Sequence, residues 1–116
     1  MYDAGVISAW AIAFATTLLL ETPVYIWGLR SRLAVSRAAL LSLGLNAATH
    51  PAAWTLTARG TWVMFAAVEV GVWLTEACLL WLVMRAIRAR AMTLGEAFLL
   101  SLVANALSAG VGLLLV

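Results

Sequence analysis

The chain contains no lysine, one cysteine, two prolines and one histidine, and only 10% of its 116 residues are charged. Each scarcity excludes something. The single Cys78 cannot form an intramolecular disulfide or a cysteine-based zinc cage, and within an apolar run it reads as a small packing residue. A soluble domain covers its surface with about 25% charged residues. Without them this chain would expose apolar patches in water beyond what a monomer tolerates. No phosphate loop, dinucleotide fingerprint, Gly-x-Ser-x-Gly elbow or HExxH pair occurs. Glu21 and Glu76 could imitate the paired carboxylates of an intramembrane protease, but no flanking signature accompanies them. The expected function is therefore not enzymatic, and no catalytic residue or organic cofactor is assigned.

What remains is hydrocarbon: 66% hydrophobic residues and a mean hydropathy of +1.06. A spanning helix needs about 20 mostly apolar residues. Four segments are read as such helices, from about Val6 to Gly28, Arg37 to Thr57, Trp62 to Met84 and Leu94 to Leu115. The expectation is an all-α membrane protein in which residues 1–116 form a single transmembrane domain. The first apolar segment lacks a basic leader and is too long for a signal-peptide core, so it reads as a retained span.

Antiparallel threading places the first and third connections on one side. They carry Arg30, Arg32, Arg37, Arg85, Arg88 and Arg90, and the other side carries Arg59 and Asp3. The positive-inside rule then puts the arginine-bearing loops in the cytoplasm and both termini outside. The setting expected is a prokaryotic inner or plasma membrane. Trp10, Trp54 and Trp62 near one set of helix ends, and Trp27 and Trp81 near the other, suit interfacial belts. The arginines are explained by topology, so nucleic acid is not an expected partner. The bilayer is, together with further copies of the chain or the other subunits of a membrane complex.

The chain also repeats itself. Residues 40–49 (LLSLGLNAAT) resemble residues 99–108 (LLSLVANALS), and Glu21 precedes Arg30 by the same nine residues that separate Glu76 from Arg85. Each half reads as a Glu-bearing helix, an arginine turn and a helix with Ser-x-x-x-Asn-x-x-Thr/Ser. Both halves start on the same side, so the two hairpins would be parallel repeats about an axis along the membrane normal, forming an antiparallel four-helix bundle.

At ~1.5 Å per residue, Glu21, Asn46, Glu76 and Asn105 fall near the middle of a ~30 Å core. Thr17, His50, Glu69 and Ser108 form a second tier nearer the termini. Helical spacing gives each helix one polar face: Thr17 with Glu21, Asn46 with His50, Glu69 with Trp73 and Glu76, and Ser101 with Asn105, Ser108 and Gly112. Carboxylates at that depth cost about 2.5–3.5 kcal/mol on insertion scales and face the bundle interior. Either they keep their protons or a cation is bound.

Three uses are open. The polar residues are interhelical glue, which suits the serines and asparagines best. Glu21 and Glu76 handle a proton, ion or small solute. Or a divalent metal is held by candidates His50, Glu69 and Glu76. The repeat leaves Glu69 and His50 without polar counterparts, since they align with Phe14 and Ala109, which marks them as the specialised part of a site. Pro23 and Pro51 free the carbonyls of Leu19 and Ala47, and Trp73 is a candidate pocket wall. The candidate binding residues are Glu21, Asn46, His50, Glu69, Trp73, Glu76, Asn105 and Ser108.

Overall fold

The computed structural model describes residues 3–57, 60–89 and 91–114. Arg59, Arg90 and the expected helix end at Leu115 lie outside the described residues. The described chain is all helical: α1 (Ala4–Leu29), α2 (Val35–Thr57), α3 (Trp62–Ala86) and α4 (Leu94–Leu114).

Side-chain caps fix three of the starts. Asp3 accepts a hydrogen bond from the Gly5 amide at 2.7 Å, Thr61 from the Met64 amide at 3.3 Å, and Thr93 from the Glu96 amide at 3.1 Å. Each satisfies an amide that has no partner within its helix. Glu96 then stands in the first turn of α4, where the helix dipole favours its charge. It also pairs with Arg32 from the α1–α2 connection, tying the two loops together. The turn after α3 takes Arg88 through φ 54°, a left-handed conformation uncommon outside glycine. Neither Pro23 nor Pro51 ends its helix.

α1, α3 and α4 are long and apolar enough to cross a membrane. α2 is comparable in length but is not apolar enough, which departs from the expectation of four such helices. The reason is its burden of Arg37, Ser42, Asn46, Thr49, His50 and Thr55 within one helix.

The helices form a ring. α1 packs on α2 and α4, and α3 packs on the same two, with α1 and α3 on opposite corners. The long dimension is 43 Å, close to the ~40–45 Å of a bilayer with its headgroups. Large apolar side chains such as Leu19, Val63, Leu99 and Leu114 point outward and are exposed.

The inward residues repeat in register. α1 buries Glu21, Tyr25 and Leu29; α3 buries Glu76, Leu80 and Met84, with Ala77 beside them. α2 buries Ala38, Ser42, Leu45, Asn46 and Thr49, and α4 buries Ala97, Ser101, Ala104 and Asn105 at a constant separation. The apolar part of this interior (Tyr25, Leu29, Leu80, Met84, Ala38, Ala97) occupies the end that carries the arginine connections. Met92, from the α3–α4 connection, adds to it. A Cβ at Gly28 would collide with the end of the Leu100 side chain.

Candidate functional site

Above that apolar plug, two buried carboxylates are surrounded by neutral donors. Glu21 of α1 accepts from Asn46 Nδ2 of α2 at 3.0 Å and from Ser108 Oγ of α4 at 2.5 Å, one bond on each oxygen. Glu76 of α3 accepts from Thr49 Oγ1 of α2 at 2.8 Å on Oε1. Its Oε2 accepts from Asn105 Nδ2 of α4 at 2.8 Å and from the Tyr25 hydroxyl of α1 at 3.2 Å. Glu21 is 1% exposed and Glu76 is 0% exposed. Burial this complete is tolerable only because every carboxylate oxygen has a partner.

Helix geometry places these donors. Asn46 and Asn105 each lie one turn beyond a buried serine and donate to that serine's carbonyl, Ser42 at 3.0 Å and Ser101 at 2.9 Å. The amide is thereby held in the orientation that reaches the glutamate. The serines in turn bind across their own hairpins, Ser42 to the Thr22 hydroxyl at 2.9 Å and Ser101 to the Trp73 carbonyl at 3.1 Å. In each case the glutamate is bonded by the asparagine of the next helix and by a hydroxyl from the other hairpin.

A cavity of about 290 Å³ lies between the four helices on the side of this layer that faces the chain termini. Glu21, Asn46, Thr49, Asn105 and Ser108 line it, and Thr17, His50 and Glu69 stand further along its walls. Ala13, Ala53, Ala109 and Gly112 leave the space open because their side chains are too small to fill it. Trp54, Thr57 and Phe65 are also part of the lining.

Of the candidates from the sequence, Glu21, Asn46 and Ser108 meet in one hydrogen-bonded group, and Glu76 and Asn105 in another. Glu69 and His50 share the cavity but are outside those groups. His50 sits against aromatic rings, with centroids 5.2 Å from Phe14 and 6.0 Å from Trp10, and its buried Nδ1 has no hydrogen-bond partner. Trp73 is not among the residues that line this cavity. Its indole N–H donates to the Phe98 carbonyl at 2.8 Å, and its ring meets the Phe98 ring edge-on. Leu19 and Ala47, four residues before the two prolines, are exposed, and neither lines this cavity.

Two site residues escaped the sequence reading. Tyr25 is one turn from Glu21 on the same face, yet it serves the other glutamate. Thr49 aligns with Ser108 in the similarity between residues 40–49 and 99–108, and that match is the signal available in the sequence. Among the described residues no three of His, Cys, Asp and Glu are grouped as a metal ion requires, and both oxygens of Glu76 are engaged by protein donors.

No family model, curated protein or solved structure matches this chain.

Proposed function

We propose that this is a small membrane protein whose four helices all cross the bilayer as two related hairpins, and that it handles a proton or small cation at Glu21 and Glu76. One observation carries the reading. An acid with no basic residue bonded to it, Glu21, forms the floor of a cavity open toward one end of the bundle and sealed by apolar packing at the other. Glue alone would be served by glutamine, which offers an amide without a titratable proton. An acid kept here at an insertion cost of a few kcal/mol argues for a charge that comes and goes.

The four-span arrangement is supported by connectivity. α2 packs between α1 and α3, and short connections at both of its ends leave it to return through the same layer. Its polar residues are tolerable there because Ser42, Asn46 and Thr49 face the interior. The pairing of hairpins is supported by the matched inward positions and by the matched donors to the two glutamates. The arginine distribution orients the closed end toward the cytoplasm and the cavity outward. Cation selectivity follows from the lining, which carries Glu21 and Glu69 with His50 as its one basic side chain among the described residues. A divalent metal would draw on Glu69 and His50, since Glu76 is already fully engaged.

The rate of methylammonium uptake by proteoliposomes under a pH gradient, in excess of that of protein-free liposomes, tests this. Wild type is expected to show pH-dependent uptake, and Glu76→Gln is expected to lose it by at least about tenfold while its helical circular dichroism is retained. Unchanged uptake in Glu21→Gln, Glu69→Gln and Glu76→Gln alike would overturn the proposal.

A second reading, an accessory subunit of a larger complex, is favoured by one feature. The outer face of α2 carries a patch of small residues, Ala47, Ala48 and Ala52, which lets another helix approach closely between the exposed Leu43 and Leu56. A partner of fixed stoichiometry in mild-detergent purification supports it; a preparation containing this chain alone counts against it.

A further inference from the structure

The two fully buried acids stand at one height, and the cavity reaches a third acid above them. From α2, Asn46 donates to Glu21, and Thr49, nearly one turn closer to the termini, donates to Glu76. From α4 the assignment is reversed, with Asn105 donating to Glu76 and Ser108 to Glu21. That crossed pattern sets Glu21 and Glu76 level. Glu69 precedes Glu76 by two turns of α3, so its backbone lies about 10 Å closer to the termini. Glu21 and Glu69 line the same cavity, and Glu76 does not. The cavity is acidic at its floor and again higher up.

The stretch between these two levels is mostly small and apolar. Ala53, Val72, Ala109 and Gly112 line it, with Thr17 and His50 beside them. His50 sets its ring against Phe14 and Trp10 and pairs with neither acid. Among the described residues the only ion pair joins Arg32 and Glu96, at the arginine end of the bundle. Trp54 enters the lining near the level of Glu69, and Phe65 follows one turn beyond, aromatic rings of the kind that attract cations.

A single metal ion gathers its oxygen ligands at 2–3 Å and cannot serve both levels. A molecule with a positive charge at each end and hydrocarbon between them matches floor, walls and upper level. Two charge-assisted contacts of about 2.8 Å within that ~10 Å leave roughly 5–8 Å between two nitrogens. A diaminoalkane of about four to six carbons spans this at ~1.5 Å per bond. The cavity volume of about 290 Å³ is at the small end for ligand pockets, which suits so slim a molecule. Each Glu21 oxygen takes one hydrogen bond from the protein and can accept another from an ammonium group.

We propose that the cavity binds a linear aliphatic diamine as its dication, one ammonium at Glu21 and the other at Glu69, with the methylenes along Ala53, Val72 and Ala109. This rests on the reading of the cavity as a cation site and adds the chemical class of its ligand. Joining the two ammonium groups makes the second contact intramolecular, so a diamine of the right length outbinds a monoamine.

Isothermal titration calorimetry on the full-length protein in phosphatidylcholine nanodiscs, referenced to empty nanodiscs, tests this. Pentamethylenediamine is expected to bind at least about tenfold more tightly than pentylamine. Across diaminoalkanes of increasing length, affinity is expected to pass through a maximum at about five carbons. In Glu69→Gln the preference for the diamine is expected to shrink to within about twofold. Affinity that rises steadily with length, a wild type without the preference, or a Glu69→Gln protein that keeps it would each overturn the inference. So would displacement of the diamine by magnesium ion at equal concentration, which assigns the site to divalent charge alone. The length series uses wild type and decides the question even if the variant fails to fold. Methylammonium uptake that depends on Glu21, without any preference for diamines, refutes this inference alone. Uptake indifferent to Glu21→Gln refutes the cavity reading beneath it.

Discussion

The two ends of this bundle are packed to opposite purposes. At the arginine end, Tyr25, Leu29, Leu80 and Met84 point inward against Ala38 and Ala97, large against small, and the interior is filled. At the terminal end the inward positions include Ala13, Ala53, Ala109 and Gly112, small against small, and a cavity remains. Apolar contact area does not itself drive helices together in lipid, so the closed end depends on fit and the open end on hydrogen bonds. The layer of Glu21 and Glu76 lies where the two regimes meet. It is roofed by the cavity and floored by the plug, an arrangement that gives an acid access from one side only.

The largest expected effect comes from removing the layer itself. Glu76→Leu leaves the Tyr25 hydroxyl and one Asn105 N–H without an acceptor, each costing about 1–3 kcal/mol, while Thr49 can still donate to the Leu45 carbonyl. Unfolding in mixed detergent should show a loss of at least about 2 kcal/mol, and an unchanged midpoint would mean that the layer is not a structural joint. The closed end is next. Gly28→Val makes the part-exposed Leu100 side chain turn aside and should cost about 1 kcal/mol in the same assay. If the variant is as stable as wild type, the plug is looser than described.

Filling the open end sharpens the contrast. Ala109→Leu puts a side chain into the cavity, away from the plug. Stability should move by less than about 1 kcal/mol, while methylammonium uptake should fall sharply; retained uptake would show that the cavity is not the route. The smallest effect is expected at the loops. Arg32→Gln removes the exposed pair with Glu96 and should cost under about 1 kcal/mol, less at high salt.

Much of this layout is readable from residue spacing, and the exceptions have physical causes. The starts at Trp62 and Leu94 follow from the threonine caps Thr61 and Thr93. Glu21, Asn46, Glu76 and Asn105 share a depth because the chain folds back at short arginine turns, so counting from those turns measures height. Rotation about each helix axis is harder to count. Trp73 lies between Glu69 and Glu76 in sequence, but an indole seeks an acceptor, and the Phe98 carbonyl of the neighbouring helix supplies one. Tyr25 was hidden for a related reason. An aromatic residue near a helix end reads as an interfacial anchor, whereas its hydroxyl here crosses the bundle to Glu76. α2 shows the limit of composition. Its polar residues lower its apolarity below that of a spanning helix, although Ser42, Asn46 and Thr49 turn inward.

The most direct test of the central claim is Glu21→Gln read for uptake and for stability in the same preparation. Glutamine keeps the shape and retains an oxygen that Ser108 or Asn46 can donate to. If Glu21 is a working acid at the floor of the cavity, uptake falls by at least about tenfold and stability shifts by less than about 1.4 kcal/mol. Unchanged uptake would contradict the account and leave Glu21 as glue between helices.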